Sequence, residues 1–241
     1  MYANQPYELI AGQWNDVAAK TAAACARALT SAVNARGQAV VAIPGGRSVT
    51  RVLEAMKAQE NFPWKNIELF WVDERWVPLE HEDSNFRPAW NAVLQQLVKE
   101  QSLHQDQVHP FRYSSDLPDG GVGLYQSEFR QYSAKSNEQF DLVVLGVGED
   151  GHCASLFPHH DSFRNDTYGF ITVHDSPKYP PDRMSASRRM IMQAGTAVLL
   201  FLGEGKRSAW ERFQDSEVSE ESCPAKIALH AGHTIIVTDL Q

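Results

Sequence analysis

Short apolar runs alternate with helix-periodic stretches along most of this chain, and polar, glycine-rich turns punctuate the two. Ala39–Ile43, Ile67–Val72, Phe140–Leu145, Ala197–Leu202 and Thr234–Val237 predict strands. Asn15–Arg36 predicts an amphipathic helix, with Val17, Cys25, Leu29 and Val33 at helical spacing and Gly37 as its stop. Further helical patterns cover 48–57, 85–99, 124–135 and 206–213. Strands that are apolar throughout, separated by helices, imply a mostly parallel sheet with helices on both faces: an α/β, Rossmann-like fold. In such a sheet the loops at the strand C-termini line the ligand crevice. The chain's Gly, Asp, Arg, His and Lys residues collect in those loops.

The 241 residues are 43% hydrophobic and contain no internal repeat or low-complexity linker, so 1–241 is read as one α/β domain. Residues 114–123 read as a surface connection and 175–184 as a loop stiffened by Pro177, Pro180 and Pro181, carrying Lys178 and Arg183. With 22 basic and 30 acidic residues the net charge is -8. That balance disfavours nucleic acid and anionic lipid as partners; an anionic metabolite would need a local cluster of positive groups. Ala197–Leu202 is too short to span a bilayer, and Met1–Gln5 lacks the apolar stretch of a signal peptide. The three cysteines, Cys25, Cys153 and Cys223, form no CxxC pair and suit a reducing compartment, so a cytoplasmic location is expected. The oligomeric state is not legible; a monomer is the simpler expectation.

Several stretches could carry chemistry. In Ile43-Pro-Gly-Gly-Arg-Ser-Val-Thr50 a strand runs into Gly45 and Gly46, and Ser48 is placed to cap a helix. Such a turn can present N–H groups to an anion, or be only an ordinary capped turn; both readings stand. It is no nucleotide P-loop, since the lysine of GxxxxGK[ST] is missing, and Thr50 spoils the match of Gly46-Arg-Ser48 to a serine-hydrolase elbow. Trp71-Val-Asp-Glu-Arg-Trp76 places Asp73 and Arg75 at a strand end, aimed into the crevice, whereas Asp83–Asn85 read as a surface ion pair and a helix cap. Gly146-Val-Gly-Glu-Asp-Gly-His152 is the most informative stretch. Its glycines allow a compact loop presenting Glu149, Asp150 and His152 together, and a carboxylate beside an imidazole can fix its tautomer for proton transfer. Cys153 reads as an apolar filler rather than a nucleophile. Arg183 and Lys206, each a surface charge by default, supply further cations. His104, His109, His159 and His160 lack ligand spacing, so neither a metal nor another cofactor is expected.

Taken in register, Pro44-Gly-Gly46, the DERW-to-DSN block (73–85), GxGEDGH with SLFP (146–158), the SPKxPPxR block (176–183) and Gly203-Glu-Gly-Lys206 resemble the 6-phosphogluconolactonase family. The wider group includes glucosamine-6-phosphate deaminases, which carry tyrosine after their Asp-Glu. The resemblance implies hydrolysis of a phosphorylated sugar lactone in the oxidative pentose phosphate pathway, without metal or cofactor. It places the phosphate at Gly45, Gly46, Arg47, Ser48, Arg183 and Lys206, and the lactone near Asp73, Arg75, Asp150 and His152. On this reading His152 activates water, Asp150 or Asp73 orients it, and Arg75 or loop N–H groups meet the oxyanion. Three departures stand out: Cys153 where threonine is common, Tyr179 within the proline run, and Ser185-Ala186 in place of threonine-leucine. Two other readings remain: an isomerase or deaminase on the same fold, or a non-catalytic sugar-phosphate sensor. A sensor would usually add a DNA-binding segment; no helix-turn-helix stretch or basic arm is visible, and Gln241 lies close to the last strand.

Overall fold

The computed structural model describes residues 7–240; the Met1–Gln5 reading and Gln241 lie outside the described residues. The described residues contain ten strands: β1 Glu8–Ala11, β2 Ala39–Ile43, β3 Ile67–Trp71, β4 Asp73–Arg75, β5 Val108–His109, β6 Leu142–Gly146, β7 Phe170–Val173, β8 Arg183–Ala186, β9 Thr196–Phe201 and β10 His233–Thr238. The α-helices are α1 Trp14–Arg36, α2 Arg47–Ala58, α3 Phe86–Ala89, α4 Gln95–Lys99, α5 Val122–Ser133, α6 Asp161–Arg164, α7 Arg188–Met192 and α8 Arg207–Gln214. A π-turn, Trp90–Leu94, joins α3 to α4, so the helix expected over 85–99 carries a wider turn in its middle.

Seven strands form a wholly parallel sheet in the order β1-β10-β9-β6-β2-β3-β5. Why the strands are apolar throughout is plain from their two faces. Val40, Ala42, Val143, Leu145, Leu199 and Phe201 enter one apolar cluster, with α5, α7 and α8 residues. Val41, Ile43, Leu142, Val144, Val198 and Leu200 enter the other, with α1 and α2 residues. Period-two alternation thus sends these residues of β2, β6 and β9 into one core or the other, where each Val, Leu or Ile gains about 1.5–3 kcal/mol. Gly37 ends α1 as expected, left-handed at φ 79° and donating its N–H to Val33 O.

From β2 the chain lays strands outward through β3 and β5, then returns to β6 and builds the other way through β9 and β10. The order reverses between β2 and β6, so the loops after these neighbours diverge and open a crevice. A second sheet, β4-β8-β7, is antiparallel and was not expected from the pattern. Its strands are three or four residues long, too short for periodicity to register. Ala186 N–H bonds Val72 O (2.7 Å) and Val72 N–H bonds Ile43 O (2.9 Å), tying this sheet to the C-terminal edge of the large one. Arg183 therefore lies on a strand, opposite Arg75, instead of in the loop expected over 175–184.

Candidate active site

After β2 the chain turns at Pro44-Gly45-Gly46 into α2. Gly46 holds φ 103° at the cap position and no side chain caps the helix; Ser48 sits inside its first turn, which corrects the capping role expected for it. The first α2 donor to find a partner is Thr50, N–H to Gly46 O at 3.1 Å. Among the described residues the amides of Arg47, Ser48 and Val49 have no hydrogen-bond partner, at a helix end that has no acidic residue in its first turn, an arrangement suited to an anion. At Gly45 a Cβ would lie 2.0 Å from Asn85 Oδ1, so only glycine lets Asn85 close against this turn.

Asn85 and Ser84 are buried, against the surface placement expected for them. Glu74 is the reason. Its buried carboxylate accepts from Ser84 Oγ (3.0 Å) and from the N–H groups of Asn85 (2.7 Å), Phe86 (2.8 Å) and Arg75 (2.8 Å). Burial pushes this carboxyl up, and the N–H donors oppose the shift. The loop 76–85 is thereby folded back on β4, and Asn85 Nδ2 donates to Asp73 O at 2.8 Å. Asp73 accepts Ser155 Oγ at 2.8 Å. Arg75 donates to Asp83 O at 2.5 Å, and among the described residues its buried Nε has no partner.

The loop after β6 closes on itself through Gly148 N–H to His152 O (2.8 Å) and Gly151 N–H to Gly148 O (3.0 Å). His152 Nδ1 meets Asp150 Oδ1 at 2.5 Å. Burial alone would raise the Asp150 carboxyl, but its hydrogen bond to His152 and the charges of His152 and Lys178 hold it far below the usual carboxylate range. An ionised Asp150 only accepts, so Nδ1 is the donor of this pair and Nε2 is the ring nitrogen left for other partners. Arg212 of α8 fixes the loop backbone by donating to Asp150 O at 2.9 Å. Phe157 packs 4.7 Å from the imidazole ring and 5.4 Å from the Arg183 guanidinium.

These loops meet around one cavity of about 650 Å³. Gly45, Gly46, Arg47, Ser48, Asp73, Arg75, His152, Arg183 and Lys206 all line it, so five segments distant in sequence converge, three of them loops and two the short strands β4 and β8. Asp150 stands behind His152 and is not part of the wall. Five cationic side chains, Arg47, Arg75, Lys178, Arg183 and Lys206, face two carboxylates, Asp73 and Glu149, so an anion is favoured despite the acidic surface. Burial lowers both the Arg183 guanidinium and the Lys206 ammonium from their ordinary values. Arg183 is largely committed to the backbone, donating to Pro180 O (2.9 Å), Lys178 O (2.7 Å) and Tyr179 O (3.3 Å).

Asn85, Glu149, Lys178 and Tyr179 also line the cavity but were absent from the expected site. The proline-rich setting of Lys178 and Tyr179 was a usable signal, as was the place of Asn85 in the DERW-to-DSN block. Among the described residues no group of three or more His, Cys, Asp or Glu side chains could hold a metal ion, and no helix is long and apolar enough to cross a membrane.

Known proteins resemble this chain in sequence and in fold. The family model for glucosamine-6-phosphate isomerases/6-phosphogluconolactonase matches residues 13–237. The chain is 34% identical over 218 residues to the 6-phosphogluconolactonase of Synechocystis sp., covering 88% of this chain and 87% of that protein. To the 6-phosphogluconolactonase of Borreliella burgdorferi it is 32% identical over 201 residues, 83% of each. The crystal structure of 6-phosphogluconolactonase from Thermotoga maritima has the same fold, with a TM-score of 0.78 over 98% of this chain and 100% of that one at 21% identity.

Proposed function

The chain belongs to the glucosamine-6-phosphate isomerase/6-phosphogluconolactonase family, and from that premise we propose that it is a carboxylic ester hydrolase converting 6-phospho-D-glucono-1,5-lactone to 6-phospho-D-gluconate. One observation carries the reading: an imidazole anchored through Nδ1 by an ionised carboxylate, on the wall of a cavity whose other charges are mainly cationic.

The phosphoryl group sits at the open N-terminus of α2, between its free amides and Arg47, with Lys206 and the uncommitted part of Arg183 adding positive charge. This grip orients the lactone carbonyl toward His152 and selects phosphorylated over plain lactone. His152 Nε2 accepts a proton from water as the water oxygen bonds to C1. Asp150 stabilises the imidazolium that forms, and Asp73 helps to position the reacting end. Arg75 meets the developing oxyanion, a role worth roughly 3–4 kcal/mol per donor in other acyl-transfer sites. The C1–O5 bond then breaks; the ring oxygen takes the proton back from His152 and leaves as the C5 hydroxyl. The acid so formed loses a proton to solvent.

The test generates the lactone in situ and follows acid release with and without protein, above spontaneous hydrolysis. His152→Ala is expected to lower turnover by about 10²–10⁴-fold with a smaller change in KM. Wild-type turnover in that variant would end the base assignment. Ammonia release from glucosamine 6-phosphate, with no lactone hydrolysis, would move the reading to the isomerase and deaminase branch.

A further inference from the structure

Four large hydrophobic side chains are exposed among the described residues, and Tyr179 is the most exposed of them at 82%. It alone of the four lines the cavity. A scattered surface apolar residue needs no explanation, but a bare aromatic ring at the mouth of a charged cleft does.

The mounting of that ring is rigid. Arg183 grips the carbonyls of residues 178, 179 and 180 from below. Ser176 Oγ donates to Lys178 O (2.9 Å) and accepts from Lys178 N–H (3.2 Å), while Ser176 N–H bonds Pro181 O at 3.1 Å. Pro180 and Pro181 have locked φ angles. The backbone is therefore ordered before any ligand arrives, whereas the ring itself has no ring-stacking partner and its hydroxyl no hydrogen bond among the described contacts. With the backbone pre-ordered, covering the ring costs only the entropy of its own side-chain torsions.

We infer that Tyr179 is a specificity-determining residue whose ring face receives the C–H face of the sugar portion of the substrate. The inference rests on the function proposed above. The negative face of an aromatic ring attracts C–H bonds polarised by neighbouring oxygens. Lys206 and Lys178, the latter 4.0 Å from Asp150 Oδ2, line the same cavity and serve the anionic part of the same molecule, so apolar and ionic recognition are divided between neighbouring groups.

Tyr179→Ala and Tyr179→Phe test the inference, with KM and kcat on the phosphorylated lactone and the Kd of 6-phosphogluconate by calorimetry. The alanine variant is expected to raise KM and Kd about 5- to 30-fold with kcat within about twofold, and phenylalanine to restore both. Truncating so exposed a side chain removes no core contact, so melting temperatures should match. KM and Kd within about twofold of wild type in Tyr179→Ala would overturn the inference. So would an equal loss in Tyr179→Phe, or a change in sedimentation behaviour with KM unaltered. A wild-type protein without lactonase activity would instead sink the proposed function, which separates the two failures.

Discussion

Replacing Gly148 by alanine probes the imidazole without touching it. A Cβ at this position would lie 2.1 Å from both Cε1 and Nδ1 of His152 and 2.6 Å from Asp150 Oδ1. Carbon contacts settle at about 3.5–4.0 Å, so the ring must withdraw by roughly 1.5 Å and its bond to Asp150 must break or re-form elsewhere. A misplacement of about 1 Å can cost about 10²-fold in rate. We expect kcat to fall about 10²–10³-fold while KM changes less than about threefold, because the cations that grip the phosphoryl group are untouched. The backbone at 148 lies outside the left-handed region, so alanine brings no conformational penalty, and thermal unfolding should move little. The coupled lactone assay gives the rates. If the clash acts through His152, the Gly148→Ala/His152→Ala double variant will be no slower than His152→Ala alone. Wild-type turnover in Gly148→Ala, or losses that multiply in the double variant, would refute the reasoning.

Lys206 lines the cavity half-buried, so Lys206→Met should raise KM for the phosphorylated lactone about tenfold or more and lower kcat less; the reverse split would place it at the reacting carbon. His109 is buried between Glu128 (2.8 Å) and Glu68 (2.9 Å), and although burial opposes its charge, those carboxylates raise its pKa. Its contribution is fully present below the ordinary imidazole value of about 6.5 and is lost as pH rises through the higher folded value. His109→Gln should cost about 1–3 kcal/mol at pH 6 and flatten the pH dependence of the melting temperature between pH 6 and 9; parallel curves would disprove the assignment. Burial also pushes the Cys153 thiol up. Cys153→Ala should therefore keep kcat within about threefold, and native protein should resist thiol alkylation at this position until unfolded; loss of activity beyond the accompanying loss of stability would reopen a chemical role.

The alternation of apolar runs and helical periods was enough to read five strands of the parallel sheet, because each is buried along most of its length on both faces and so carries few polar positions to blur it. The glycines and charges at the strand ends were equally legible, since a crevice at the C-terminal edge needs those residue types whatever the details. Sequence also placed His152 beside carboxylates in a glycine-rich loop but left Asp150 and Asp73 as alternatives for orienting it; the structure pairs it with Asp150 at 2.5 Å. The structure decided matters that depend on contacts between distant segments. Ser84 and Asn85 read as surface caps because nothing local announces that Glu74 will draw their backbone into the interior. Arg183 read as a loop cation because β4, β7 and β8 are too short to leave a period, and only their antiparallel register sets it opposite Arg75. Ser48 lost its capping role because a glycine at φ 103° already turns the chain into α2. Local pattern records what a segment buries, whereas the partner across a cleft is set by chain closure, and that information exists only once the strands are ordered.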